Sequence, residues 1–138
     1  VNIQEFIAEL SENLMHAYGY SNGNFDLQLQ IQVKELDADM AIPLGLIVNE
    51  VVTNAFKYAY KNVQHPSLYI VFNEKDNQLR LTVSDNGSVL TEKAWKQSAS
   101  FGRQLIQSLT QQLQGTMQLT CNHHTAFNFT FPFKPALS

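Results

Sequence analysis

Apolar residues along the chain fall into two rhythms. In residues 1–18, Ile3, Phe6, Ile7, Leu10, Leu14 and Tyr18 recur at three- and four-residue steps, which predicts an amphipathic helix. The turn-forming run YSNGN follows. In DLQLQIQV, Leu27, Leu29, Ile31 and Val33 alternate with polar residues, the period of a half-buried strand. KELDADMAIP is a polar connection, with Pro43 near the start of the next helix. There Leu44, Ile47, Val48, Val51, Val52, Ala55 and Ala59 form one apolar stripe, and KNVQHPS ends the helix.

LYIVFN and LRLTVS read as two strands joined by the hairpin-like NEKDNQ. Residues 85–102, DNGSVLTEKAWKQSASFG, have no period and read as a long loop with room for a short helical turn. Loops of this length in compact domains are usually functional or mobile. RQLIQSLTQQLQG carries Leu105, Ile106, Leu109 and Leu113 on one helical face and stops at Gly115. TMQLTC and AFNFTFPF are strands. The alternating Phe127, Phe129, Phe131 and Phe133 fit core packing better than a binding surface. The order helix, strand, helix, two strands, loop, helix, two strands predicts an α+β fold, a two-layer sandwich. Its mostly antiparallel sheet is covered on one face by helices.

Composition narrows this further. The 138 residues are 44% hydrophobic and 15% charged, enough apolar material for one domain over residues 1–138 with a true core. The net charge of −3 provides no electrostatic footprint for nucleic acid. No apolar run approaches the roughly 20 residues that span a membrane. One cysteine, Cys121, precludes an internal disulfide and suits a reducing, cytoplasmic setting. The chain begins at Val1 without Met, so a larger protein with segments upstream is expected.

Candidate chemistry lies in three places. Glu50, Asn54 and Lys57, at i, i+4 and i+7, share a polar stripe beside the apolar face of the second helix. Asn54 is a mediocre mid-helix residue because its amide competes for backbone hydrogen bonds. SDNG, residues 84–87, ends a strand. SFG, residues 100–102, opens a helix. Each has an ordinary explanation: a solvated helix face, a turn, a helix start. Together they solve one problem, holding a nucleoside triphosphate. Magnesium takes oxygen ligands, including an amide oxygen; Asn54 offers one without adding negative charge. Lys57 can neutralise phosphate, and Glu50 can orient or deprotonate a nucleophile. Asp85 can accept a hydrogen bond from an exocyclic amine, and Gly87 lets a flat base approach the backbone. Gly102 opens a helix whose free N–H groups favour phosphate.

In these pieces the chain resembles the catalytic, ATP-binding domain of bacterial sensor histidine kinases, in the gyrase/chaperone/MutL ATPase superfamily. IPLGLIVNEVVTNAFKYAY resembles the N box, VSDNG the first glycine box and SFGRQLIQSLTQQLQGTMQL the second, while TAFNFTFP resembles the closing strand. PLGLIVNE and QLQGTMQL are similar to the subgroup with a second-type phosphoacceptor domain, related to the HWE kinases. The resemblance implies a Bergerat α/β sandwich that binds ATP and Mg2+ beneath a lid. Asn54 would be the metal ligand and Glu50 the base or orienting group, with Asn49 supporting the metal site. Lys57 would contact phosphate, Asp85 would read the adenine amine, Gly87 would shape the base pocket, and Gly102 would lie where lid meets helix. It also implies transfer of the γ-phosphate to a histidine on an upstream dimerisation domain, in a homodimeric full-length protein. From there the phosphate would pass to a response regulator receiver domain. None of His16, His65, His123 and His124 stands in an acceptor context. The pattern departs from the family at Val89, which replaces the second glycine of the first box, at Ser100 and at Arg103. Arg103 is expected in solvent, with phosphate contact as the alternative. Trp95 is expected either to pack the lid on the body or to be an ordinary partly buried anchor. Two other functions share this fold: a degenerate interaction module, which Val89 motivates, and a serine kinase of the anti-sigma-factor type.

Overall fold

In a computed structural model, residues 1–87, 92–97 and 101–134 are described. The elements are α1 (Ile3–Ala17), β1 (Asp26–Ile31), α2 (Ala38–Tyr58), β2 (Ser67–Lys75), β3 (Gln78–Asp85), α3 (Glu92–Gln97), α4 (Phe101–Gln112), β4 (Thr116–Cys121) and β5 (Thr125–Pro132). The five strands form one sheet in the order β1-β2-β3-β5-β4. β1 runs parallel to β2, and the remaining pairs are antiparallel. This is the expected mostly antiparallel α+β sandwich.

The period of two sorts each strand between faces. Leu68, Ile70 and Phe72 of β2, Leu79, Leu81 and Val83 of β3, and Phe127, Phe129 and Phe131 of β5 are buried. The intervening residues are half-buried or exposed. The core lies between that inner face and the helices, with Ile3, Ile7 and Met15 from α1, Leu44, Ile47, Val48, Val51 and Val52 from α2, and Ile106 and Leu109 from α4. Nonpolar burial of this kind contributes about 1.5–3 kcal/mol per large side chain. Ser11, buried on α1, satisfies its hydroxyl by donating to the Ile7 carbonyl at 2.7 Å.

One boundary differs from the sequence reading. α2 starts at Ala38, so Pro43 sits inside the helix rather than at its start. The Asp37 carbonyl already accepts from the N–H groups of Met40 and Ala41, and that first turn propagates through the proline, which omits one bond but keeps a helical φ. α4 stops before Gly115, as expected, with Gln114 in the left-handed region (φ 57°). Glycine is needed at 115 for space: a Cβ there would lie 2.4 Å from the Phe131 ring and 2.7 Å from the Thr130 carbonyl oxygen.

Candidate nucleotide-binding site

The site is organised along α2. Its buried face (Val48, Val51, Val52, Ala55) seats the helix on the sheet, and this orientation leaves one adjoining flank half-buried at Glu50 and Asn54, whereas Asn49, expected to support the metal site, lines the groove towards α1 with Phe6 and Leu10. α4 packs beside α2, and its second residue, Gly102, meets this flank. A Cβ at Gly102 would stand 2.8 Å from Glu50 Oε2 and 3.6 Å from Asn54 Nδ2. The start of α4 is therefore brought against Glu50 and Asn54, with glycine leaving the space between them open. One turn further, Lys57 is exposed. Among the described residues no group of three or more His, Cys, Asp or Glu side chains converges.

The far end of α2 meets the end of β3. A Cβ on Gly87 would fall 2.0 Å from the Ala59 carbonyl oxygen and 2.7 Å from the Ala59 Cβ. Only glycine allows this approach. The Gly87 N–H donates to Asp85 Oδ1 at 3.0 Å. Burial pushes the Asp85 carboxyl up from 3.8 to about 6, partly offset by the Gly87 hydrogen bond and by His124. Tyr60 is buried; burial, then the Asp85 charge and the Tyr20 phenol, hold its hydroxyl above the ordinary phenol range. A carboxyl held near neutrality by desolvation marks a candidate binding group. From Glu50 to Ala59 the chain rises about 14 Å at 1.5 Å per residue, which separates the two ends of the site.

The structure thus groups Glu50, Asn54 and Gly102 at one end and Asp85 and Gly87 at the other, with Lys57 between them along α2. Sequence reasoning missed Ala59, Tyr60 and Tyr58. Tyr58 is 72% exposed next to Lys57, and its place directly after the polar stripe was the available clue. Arg103 is corrected: it is half-buried rather than solvated, with its guanidinium 6.0 Å from the Trp95 ring centroid, because α3 and α4 bring the two together. A face-on cation of this kind is attracted by the ring quadrupole. Trp95 is buried and packs edge-on to Phe127 at 5.1 Å, so it anchors α3 to the sheet. Ser88, Val89 and Ser100 lie outside the described residues. His123 and His124 are exposed in the β4–β5 turn, and His16 and His65 are also exposed. No helix among the described residues is long and apolar enough to cross a membrane.

No curated protein matches the chain. Among solved structures, the histidine kinase domain of the blue-light activated histidine kinase from Erythrobacter litoralis superposes with a TM-score of 0.86 at 23% identity. That match covers 96% of this chain and 62% of the other. The mycobacterial sensor histidine kinase MprB matches with a TM-score of 0.73 at 15% identity, over 99% of this chain and 97% of that one. Full-length ShkA, solved in complex with AMPPNP, gives 0.73 at 15% identity, over 100% of this chain and 31% of that one. The chain therefore spans less than two thirds of the Erythrobacter histidine kinase domain and under a third of ShkA, and it shares the fold of histidine kinase catalytic domains. A family model, that of histidine kinase-, DNA gyrase B- and HSP90-like ATPases, matches residues 39–135, from the first turn of α2 to beyond β5. Over most of its length, and over every element that frames the site, the chain belongs to the histidine kinase-, DNA gyrase B- and HSP90-like ATPase family.

Proposed function

We propose that the domain binds ATP with magnesium along α2 and presents the γ-phosphate to a histidine on a separate phosphoacceptor domain. The observation that carries this is the pairing of two close contacts on one helix: Gly102 against Glu50 and Asn54, and Gly87 against Ala59 beside Asp85. Asp85 accepts the exocyclic amine of adenine, and the base lies over Gly87. Tyr58, exposed directly after Lys57, offers a ring for stacking. Lys57 neutralises phosphate oxygens. The Asn54 amide oxygen would hold magnesium, which when bound supplies charge neutralisation of the phosphates. Glu50 orients the attacking imidazole or takes its proton. Phosphoryl transfer of this kind depends on positioning and on stabilising charge, and needs little covalent chemistry from the protein.

The partner is a dimerisation domain bearing the histidine, in a homodimer of the longer protein, and a response regulator receiver domain is the next phosphate acceptor. Calorimetric titration with ATP, with and without magnesium, tests the reading: saturable binding strengthened by magnesium is expected. Absence of binding at millimolar ATP would overturn it in favour of a non-catalytic interaction module. Transfer to serine of a partner protein, rather than histidine, would instead mark an anti-sigma-factor type of kinase.

A further inference from the structure

The short turn that ends β3 is braced in an unusual way. The last backbone pair between β2 and β3 is Leu68 with Asp85. The next pair would join Ser67 to Asn86, and it is made by a side chain instead: the Ser67 N–H donates to Asn86 Oδ1 at 2.8 Å. The other end of the same amide, Nδ2, donates to the His65 carbonyl at 2.8 Å. Both ends of Asn86 are thus occupied, one by the first residue of β2 and the other by the segment leading into it. The Ser67 carbonyl in turn accepts from the Tyr60 hydroxyl at 2.9 Å. Between His65 and Ser67, the Pro66 carbonyl accepts from the Asp26 N–H at 3.0 Å, which ties in β1.

This arrangement separates two demands on one turn. Asp85 stays in strand register, so its carboxylate has a fixed origin. The backbone at Asn86 is released from the ladder because its side chain takes over the pairing. The chain is then free to turn, bring the Gly87 N–H to Asp85 Oδ1 and lay Gly87 on the Ala59 carbonyl. Tyr60 follows Ala59 directly, and its ring is packed by Tyr20, Phe25 and Phe56 with centroids 5.1–6.3 Å away. The floor beneath Gly87 is therefore as firmly held as the turn above it.

We infer that Asn86, assisted by Tyr60, is a positioning residue of the base subsite: its side chain extends the β2–β3 ladder one step past Asp85 and sets the placement of the Asp85 carboxylate and Gly87 against which an amino-bearing purine is selected. The inference rests on the nucleotide reading above and assigns its base selectivity to residues that touch no nucleotide. An adenine amine donates to a carboxylate in this position, whereas guanine presents a carbonyl oxygen there and is repelled. Selection of that kind depends on the carboxylate not moving.

The test uses the chain with Asn86→Ala and, separately, Tyr60→Phe. ATP and GTP affinities are measured by calorimetry, and the Asp85 carboxyl is titrated by carbon-detected NMR. Asn86→Ala removes two hydrogen bonds, and ATP affinity is expected to fall about 10-fold or more. GTP affinity should change little, so the ATP preference collapses. The Asp85 midpoint should move down toward an ordinary carboxylate as water enters. The titratable groups that act with Asp85, namely Tyr60 and His124, and Tyr20 beside Tyr60, are unchanged in this variant. Tyr60→Phe loses one bond and should show the same pattern at about 3-fold; it carries the test should Asn86→Ala fail to fold. A simple loss of stability would leave both the ATP-to-GTP ratio and the Asp85 midpoint at wild-type values, and that result overturns the inference. If the wild-type chain binds neither nucleotide, the nucleotide reading fails, and the Asp85 midpoint alone decides whether Asn86 positions the carboxylate.

Discussion

The two ends of the site are built differently. At the base end, Asp85, Asn86, Gly87, Ala59, Tyr60 and Ser67 are joined by backbone contact and by hydrogen bonds of 2.8–3.0 Å. A side chain added at Gly87 would strike the backbone carbonyl oxygen of Ala59, the residue that caps α2. At the phosphate end, the same test at Gly102 meets the tip of the Glu50 side chain, which can rotate aside. α3 reaches the sheet through Trp95 on Phe127, and Arg103 of α4 lies over that same ring. One end is made of backbone that cannot yield. The other is made of side chains from helices that meet across a gap. Recognition of a flat base gains from the first arrangement. Charge neutralisation around a flexible triphosphate tolerates the second.

Gly87→Ala should give the largest effect. The methyl would overlap the Ala59 carbonyl at 2.0 Å, and forced overpacking against backbone costs about 1–3 kcal/mol or more. ATP binding should fall by about 100-fold and the melting temperature should drop, as read by calorimetry and thermal denaturation. Wild-type affinity in this variant would show that the base end yields after all.

Asn54→Ala comes next. Loss of a ligand to a charged group is worth about 1.5–3 kcal/mol, so the magnesium-dependent part of ATP affinity should fall about 10- to 100-fold with little change in stability. Equal loss with and without magnesium would remove Asn54 from the metal site.

The pH response isolates Asp85. Its carboxyl, at about 6 in the folded chain against 3.8 ordinarily, holds its proton longer when folded than when unfolded. Between about pH 4 and pH 6 the native state binds more protons, so stability falls as pH rises through that window and the penalty persists above it. ATP affinity should run the opposite way, weakening as pH falls through about 6, because a protonated carboxyl is a poorer acceptor. Asp85→Asn should flatten both profiles and raise stability at neutral pH. A wild-type affinity profile that is flat from pH 5 to 8 would count against Asp85 as the base reader.

The smallest change is expected for Gly102→Ala. The added methyl at 2.8 Å from Glu50 Oε2 displaces only a flexible carboxylate, so ATP affinity should fall about 3-fold or less. A loss as large as that of Gly87→Ala would erase the contrast between the two ends.

Much of this was readable before any coordinates. The helix of Leu44, Ile47, Val51 and Val52 and the strand of alternating phenylalanines follow from periodicity alone, since burial on one face imposes a period of 3.6 or 2 on the residues. The stripe of Glu50, Asn54 and Lys57 was equally legible, because spacing on one helix is a local property. The glycines were visible as letters, but the reasons for them were not. Gly115 was legible as a helix stop, but the room it leaves for Phe131 was not. Pro43 looked like a helix start and proved to lie within the helix. Arg103 looked solvated and proved to face Trp95. Each depends on a neighbour distant in the chain or on where hydrogen bonding begins.

Alone, the sequence determined the set of elements, the mostly antiparallel sandwich and the polar edge of α2, because periodicity and turn chemistry are written in consecutive residues. Only the tertiary structure decided that Gly87 rests on Ala59, that Gly102 opens onto Glu50 and Asn54, and that Asn86 stands in for backbone between β2 and β3. Those contacts join segments separated by loops. Their geometry is set by how the helices and sheet pack, and no local pattern encodes it.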